Sequence, residues 1–386
     1  MKDSVIAGSV DKTSSSAGVD LTKPPSWSSG GSGSHGLVKR VTKMSAVFVG
    51  FTVLWVFLYN SASPFGFPVI SHYLTAAMPA VTKGEYDPKL ESVLRRASMG
   101  NKTVIITTLN DAWAEPGSIF DLFLESFRIG KQTKKLARHL VVVTWDQKAH
   151  DRCTALHPHC YRLETSDNFT NEAFFMTPGY LHMMWKRIEF LGSVLEMGYS
   201  FVFTDTDIMW FRDPFPRFYK DADFQIACDY FHGNPQDMRN MPNGGFTYVK
   251  SNNRTIWFYK FWYNSRKLYP KLHDQDVLNR IKWNPFISSM KLQIRFLDTA
   301  YFGGFCQTSK NLDQVCTMHA NCCIGLENKI NDLKILLEDW KKYMALPPQD
   351  DRNSTTSPLP HWTVPQSCRT SFERARRSRG ITTLHV

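Results

Sequence analysis

Gly179-Tyr-Leu181-His-Met-Met184-Trp-Lys186-Arg-Ile188-Glu-Phe-Leu191-Gly-Ser-Val-Leu195-Glu-Met197-Gly198-Tyr199-Ser-Phe-Val-Phe-Thr204-Asp205-Thr206-Asp207 holds a helix, its stop, a strand and a pair of acids in one run. Leu181, Met184, Ile188, Leu191 and Leu195 recur at helical spacing and form one apolar stripe. Gly198 ends the helix. Tyr199–Thr204 is a short apolar strand. Upstream, Thr103-Val-Ile-Ile-Thr-Thr108 and Leu140-Val-Val-Val-Thr144 read as buried strands. Pro116–Ile129 between them reads as a helix, with Pro116 in its first turn. Strand–helix alternation of this kind predicts an α/β fold with a mostly parallel central sheet. Ligands of such sheets bind beyond the carboxyl ends of the strands, which is where Asp205 and Asp207 stand.

If extended geometry continues past Thr204, side chains i and i+2 share a side. Asp205 and Asp207 then converge while Thr206 turns away. Two convergent hard oxygen donors suit Mg²⁺ or Mn²⁺. Such an ion bridges a diphosphate and neutralises the charge that develops as it departs. The plainer alternative is a pair of solvated loop acids.

Asp205-Thr-Asp207 followed by Ile-Met-Trp-Phe-Arg-Asp-Pro-Phe215 resembles the plant nucleotide-diphospho-sugar transferase family, which includes rhamnogalacturonan xylosyltransferases and extensin arabinosyltransferases. Thr108-Leu-Asn110-Asp-Ala-Trp113-Ala-Glu-Pro116-Gly-Ser118 is similar to the family's first-strand segment. The resemblance spans about residues 100–345. It implies a GT-A-like Rossmann-type fold, a nucleotide-diphosphate sugar as donor substrate bound near Thr108 and Asn110, a divalent ion, and retention of anomeric configuration.

Four more features read two ways. Asn243-Gly244-Gly245-Phe246 is expected as a turn feeding a strand. Its glycines allow close backbone approach, and Asn243 offers both donor and acceptor to sugar hydroxyls. An ordinary hairpin turn is the alternative. His273-Asp274-Gln275-Asp276-Val-Leu-Asn279 places polar groups ahead of an apolar helix. Asp274 fits an N-cap. The block is also similar to an element of related retaining transferases whose Asp and Gln face the donor sugar, so Asp274, Gln275 and Asp276 are the candidate catalytic residues. His319 precedes a helix with the stripe Leu326, Ile330, Leu333, Leu337 and Trp340. A lone His is more often structural; by resemblance His319 completes the metal site with Asp205 and Asp207, and Lys329 holds the diphosphate. The His–Gly–Lys spacing is longer here than in the commonest version. Lys186 resembles a donor-contacting basic residue, against the alternative of a solvated helix face.

Outside this region the chain changes character. Residues 1–43 are rich in Ser, Gly and Thr and hold six Lys/Arg against three Asp, the composition of a disordered cytoplasmic tail. Residues 44–62 form an uncharged apolar run, at the short end of the about 17–25 residues that span a bilayer. Basic residues precede it and none follows until Lys83, so a single-pass type II transmembrane anchor is expected, with the body lumenal. A cleaved signal peptide is the alternative, disfavoured by the long preceding tail. A short span suits a thin early secretory membrane, and a Golgi location is expected. Pro64, Pro68, Pro79 and Pro88 punctuate 63–97, expected as a stem. The transferase domain is expected over 98–365, and 366–386 as a basic tail.

The net charge of +11 invites a nucleic-acid reading. The two ends supply most of it, and no recognition module is visible, so no nucleic-acid partner is expected. All eight cysteines follow the apolar run. In an oxidising compartment Cys153–Cys160 or Cys306–Cys316 are the plausible local bridges. No CxxC spacing supports zinc. Sequons stand at Asn101, Asn168, Asn253 and Asn353. The expected activity is metal-assisted, retaining sugar transfer from a nucleotide-diphosphate donor to a glycan or glycoprotein acceptor. A non-catalytic membrane lectin or scaffold of the same fold, and a haloacid-dehalogenase-type phosphatase, are the rivals.

Overall fold

The computed structural model describes residues 87–164, 176–347 and 361–378, all within the second of the chain's two units, Met78–Val386. The expected tail and the expected anchor at 44–62 lie outside the described residues. No described helix is long and apolar enough to cross a membrane.

The strands are β1 (Thr103–Leu109), β2 (Leu140–Thr144), β3 (Cys160–Arg162), β4 (Ser200–Thr204), β5 (Ile208–Trp210), β6 (Phe224–Tyr230), β7 (Met241–Val249), β8 (Ile294–Phe296), β9 (Phe302–Gly304) and β10 (Thr317–His319). The helices are α1 (Pro88–Ala97), α2 (Asp111–Ala114), α3 (Ile119–Ile129), α4 (Gln147–Leu156), α5 (Pro178–Glu196), α6 (Asn253–Ser265), α7 (Asp274–Ile281), α8 (Pro285–Ser289), α9 (Leu326–Met344) and α10 (Ser367–Ser378). Seven strands form one sheet in the order β3-β2-β1-β4-β7-β6-β8. β3, β2, β1 and β4 run parallel, β7 is antiparallel to both neighbours, and β8 is parallel to β6. The central sheet is thus mostly parallel, in a mixed α/β fold. A second sheet of three strands has the order β5-β10-β9.

Alternation along the strands sorts the core into two faces. Val104, Ile106, Phe201 and Phe203 pack with α1, α5, α6 and α7. Ile105, Val142 and Val202 pack with α3 and α9. Asp87 caps α1 through Lys89 N at 2.7 Å and also accepts from the Tyr161 hydroxyl at 2.8 Å. With Leu90, Val93, Leu94 and Ala97 buried, residues 88–97 of the expected stem are a core helix. Pro116 to Ser118 form a turn, and the expected helix starts at Ile119.

Beyond the expected domain boundary, the start of the basic C-terminal segment is also structured. Asp332, fully buried in α9, accepts from Gln366 N, Ser367 N and Cys368 N at 2.8–3.1 Å, satisfying the free donors of the α10 N-terminus. A Cys323–Cys368 disulfide closes the attachment, and Cys306 pairs with Cys322. The Cys153–Cys160 bridge is present, but Cys306–Cys316 is not, because Cys316 is a buried free thiol. Replacing Cys323 and Cys368 together by Ser is expected to cost about 2–4 kcal/mol. Urea unfolding, with amide exchange localised to α10, checks this; unchanged protection of α10 contradicts it.

Candidate active site

β1 and β4 are parallel neighbours, so their carboxyl ends open side by side. The chain does not stay extended after Thr204. It turns, with Ile208 N donating to Asp205 O at 3.2 Å, and then enters β5. Thr206 points back to β1, donating to Thr108 O at 2.7 Å with Thr107 Oγ1 3.1 Å away. This anchor turns Asp205 and Asp207 together; the convergence comes from a turn rather than from the strand pleat.

β10 pairs antiparallel with β5 and sets His319 opposite Ile208. The imidazole thereby reaches the acids: His319 Nε2 lies 3.2 Å from Asp207 Oδ1 and 4.0 Å from Asp205 Oδ2. One ligand atom from each of the three residues falls within 4.8 Å of the others. Asp207 Oδ1 is buried and makes no hydrogen bond, although His319 Nε2 lies 3.2 Å away as an ion-pair neighbour. A dry, unsatisfied carboxylate oxygen facing an imidazole and a second carboxylate fits a divalent cation. Lys329, in the first turn of α9, reaches Asp207 Oδ2 at 2.5 Å and Ala320 O at 3.0 Å. The disulfides of Cys322 and Cys323 fasten the middle of the loop between β10 and α9. Burial opposes ionisation of Asp207, but Lys329 and His319 outweigh it and hold the carboxyl well below the usual carboxylate range. Burial pushes the Asp205 carboxyl up; Arg187 pulls it back, and Asp207 adds to the rise.

Arg187, in α5, is the residue that sequence reasoning missed. It is 4% exposed and donates to Asp205 Oδ1 at 2.8 Å and to Asp274 Oδ2 at 2.6 Å. Its guanidinium lies 4.8 Å from the Phe203 ring centroid. Burial works against the Asp274 carboxylate, yet Arg187, helped by His273, holds it at about 2. Lys186 next to it points elsewhere and pairs with Glu189 at 2.9 Å. His273, rather than Asp274, takes the N-cap position of α7. Asp276 is 43% exposed and faces His273 at 3.3 Å, apart from the acids.

Gln275 joins a cage of carboxamides around Asp229, the second residue missed. Asn243 Nδ2 and Asn321 Nδ2 each donate to Asp229 Oδ1 at 2.8 Å, and Gln275 Nε2 donates to Oδ2 at 2.9 Å. Burial pushes the Asp229 carboxyl up against these donors. Gln275 Oε1 accepts from Gly244 N at 3.0 Å. Asn243, Gly244 and Gly245 lie inside β7 and not in the expected turn. A Cβ on Gly245 would sit 2.6 Å from Asp205 Oδ2 and 2.7 Å from His319 Cε1, so the glycine admits the acid and the imidazole together. Gly245→Ala is expected to lower turnover about 100-fold by displacing both groups. Steady-state kinetics beside circular dichroism checks this, and full activity contradicts it. Thr108 is in β1, and Asn110 caps α2 by accepting from Trp113 N at 3.4 Å. The Trp113 ring centroid lies 5.6 Å from Lys329 Nζ.

Residues 135–333 match the nucleotide-diphospho-sugar transferase family. An uncharacterised protein of Arabidopsis thaliana is 52% identical over 282 residues, covering 72% of this chain and 73% of the relative. A UDP-galactose:fucoside alpha-3-galactosyltransferase of Dictyostelium discoideum is 31% identical over 165 residues, 35% of this chain and 24% of the relative. A UDP-D-xylose:L-fucose alpha-1,3-D-xylosyltransferase of Arabidopsis thaliana is 22% identical over 251 residues, 60% of this chain and 63% of the relative. These matches support a transferase and leave the phosphatase reading without support. On the match to more than half of its length, the chain belongs to the nucleotide-diphospho-sugar transferase family.

Proposed function

We propose that the protein is a metal-assisted, retaining glycosyltransferase that moves a sugar from a UDP-sugar to a glycan or glycoprotein hydroxyl. The observation that carries this reading is the meeting of Asp205, Asp207 and His319 around a dry, unsatisfied oxygen, with Lys329 alongside. Asp205, Asp207 and His319 would hold Mn²⁺ or Mg²⁺, which supplies Lewis-acid neutralisation of the leaving diphosphate. Lys329 adds positive charge at the same place, preorganised by Asp207 and Ala320 O. Thr108, Asn110 and Trp113, at the end of β1 and in α2, form the nucleotide side. Asn243, Gly244, Asp229, Gln275 and Asp274 form the sugar side.

The placement of the buried carboxylates supports retention. An inverting route needs a base at the acceptor hydroxyl, opposite the leaving group. Asp274 is pinned by Arg187, and Asp229 by three carboxamides. The C1–phosphate bond breaks as the acceptor oxygen approaches on the same face, and the acceptor proton passes to the departing phosphate. The names of the two UDP-dependent relatives also carry alpha linkages. Three disulfides among the described residues suit an oxidising lumen, and the Golgi membrane, entered through residues 44–62 in type II orientation, is the proposed location. The full-length protein in detergent, incubated with Mn²⁺ and a panel of UDP-sugars, is expected to hydrolyse one α-linked donor and to release the α anomer first by NMR. A β product overturns retention; no donor turnover with any sugar overturns the transferase reading.

A further inference from the structure

Next to the carboxamide cage the surface turns apolar. The pairing of β6 with β7 shifts register between Cys228 and Tyr230, which leaves Asp229 as an extra residue and sets Tyr230 opposite Met241. Such a bulge re-aims side chains, and here it sends Asp229 to Asn243 and Gln275. Met241 is 37% exposed and stands two residues before Asn243, on the same side of β7. Trp283 is 58% exposed and follows α7, whose first turn carries Asp274 and Gln275.

A buried cation ties these two exposed side chains to one rim. Lys282, 6% exposed, donates from Nζ to Asn240 O at 2.7 Å and to Asn279 Oδ1 at 2.9 Å. The same Nζ lies 5.7 Å from the Trp283 ring centroid. The indole is therefore held beside the residue that precedes Met241. Asn240 is fixed in turn: its Oδ1 accepts from His232 N at 2.7 Å, and its Nδ2 donates to Asn234 O at 2.7 Å and to Asp237 O at 2.8 Å. Trp283 comes nine residues after Asp274, about 13 Å by helical rise. The ring thus lies more than one sugar residue away from the groups that face the donor sugar, on the side away from Lys329 and Trp113.

We propose that Trp283, with Met241 and Tyr230, is an acceptor subsite that stacks an inner sugar ring, so that the acceptor class is an oligosaccharide rather than a single sugar. This rests on the transferase reading above. A sugar ring has a face of C–H groups that lies flat on the negative face of an indole, while its edge hydroxyls pair with carboxamides, which donate and accept. A protein partner would need a broader apolar core than one indole, one thioether and one phenol. The rim is continuous with the cage through β7 and α7, and an exposed apolar rim beside a site marks ligand binding.

The test uses the full-length protein in detergent with Mn²⁺ and UDP, titrated calorimetrically with the di- and tetrasaccharides of β-1,4-linked glucose, xylose, mannose and galactose. At least one tetrasaccharide is expected to bind about tenfold or more tightly than its disaccharide. Trp283→Ala removes that preference and Trp283→Phe keeps most of it, both with unchanged UDP affinity and thermal unfolding. Leu156→Ala, an exposed apolar control at the far end of α4, preserves the preference. No binding, equal binding of both lengths, or a preference that survives Trp283→Ala overturns the inference. A Trp283→Ala variant with altered sedimentation assigns the rim to a second copy of the chain, and one that loses UDP affinity assigns it to the nucleotide; either overturns it. Failure of the wild-type chain to bind UDP with Mn²⁺ overturns the transferase reading, and this inference with it.

Discussion

Asp207→Ala is expected to lower sugar transfer about a thousandfold or more while the protein stays folded. Asp207 makes both Lys329 Nζ and His319 Nε2 converge, and its Oδ1 is the unsatisfied oxygen of the cluster. Without it, two of the three ligand atoms remain and Lys329 loses the contact that aims it. The fold survives because the backbone bond from Ala320 N to Asp207 O, 3.1 Å, does not involve the side chain, and Lys329, 18% exposed in its side chain, can turn toward water. The measurements are Mn²⁺ affinity by calorimetry, donor hydrolysis at saturating Mn²⁺, and thermal unfolding. Near-normal turnover at saturating Mn²⁺ contradicts the assignment. A collapsed unfolding temperature with intact Mn²⁺ affinity would mean that Asp207 is structural.

The sheet was legible because its strands are short β-branched runs with helical stripes between them, and local pattern is enough for that. Asp205 and Asp207 were legible for a related reason: acids rarely end an apolar strand by chance. Their convergence, however, depends on Thr206 bonding to Thr108 O, across 98 residues, and no local rule contains that contact. Arg187 left a trace that went unread. It sits three residues after Met184 and four before Leu191, on the apolar stripe of α5, and a charge on a buried stripe must have partners. Lys186 drew attention instead, although one step of 100° carries it off that face. Residues 88–97 carried a similar trace, Leu90, Val93, Leu94 and Ala97 at helical spacing, hidden by the surrounding prolines. Asp229 had no sequence signal, since the carboxamides that define it come from β7, α7 and the loop after β10. The disulfides illustrate the same limit: Cys306 passes over Cys316, ten residues away, and pairs with Cys322, because β9 and the end of β10 are parallel neighbours.

Arg187→Met is expected to destabilise the fold by about 3–5 kcal/mol, the largest stability loss of any single change at the site. The side chain keeps its length and apolar stem, so packing against Phe203 is largely preserved. What disappears is the cation between two carboxylates: Asp274, 1% exposed in its side chain, and Asp205. The sign of the pH dependence identifies the cause. In the wild-type protein Asp274 titrates at about 2, below its ordinary 3.8. Its contribution is therefore fully present above pH 4 and lost as the pH falls toward 2. In Arg187→Met only His273 still opposes burial, and the Asp274 carboxyl is expected to rise above its unfolded value. The variant should then gain stability as the pH falls from 7 toward 5, where the wild type does not. Urea denaturation at several pH values measures both slopes. Adding Asp274→Asn to Arg187→Met removes the uncompensated charge, keeps the polar side-chain contact with His273 within reach, leaves the bond from Trp262 Nε1 to the backbone carbonyl of residue 274 untouched, and should recover part of the loss. A single variant that is destabilised equally at all pH values, with no recovery in the double variant, would show that Arg187 is needed for packing alone, and the guanidinium would no longer account for the ionisation of Asp274.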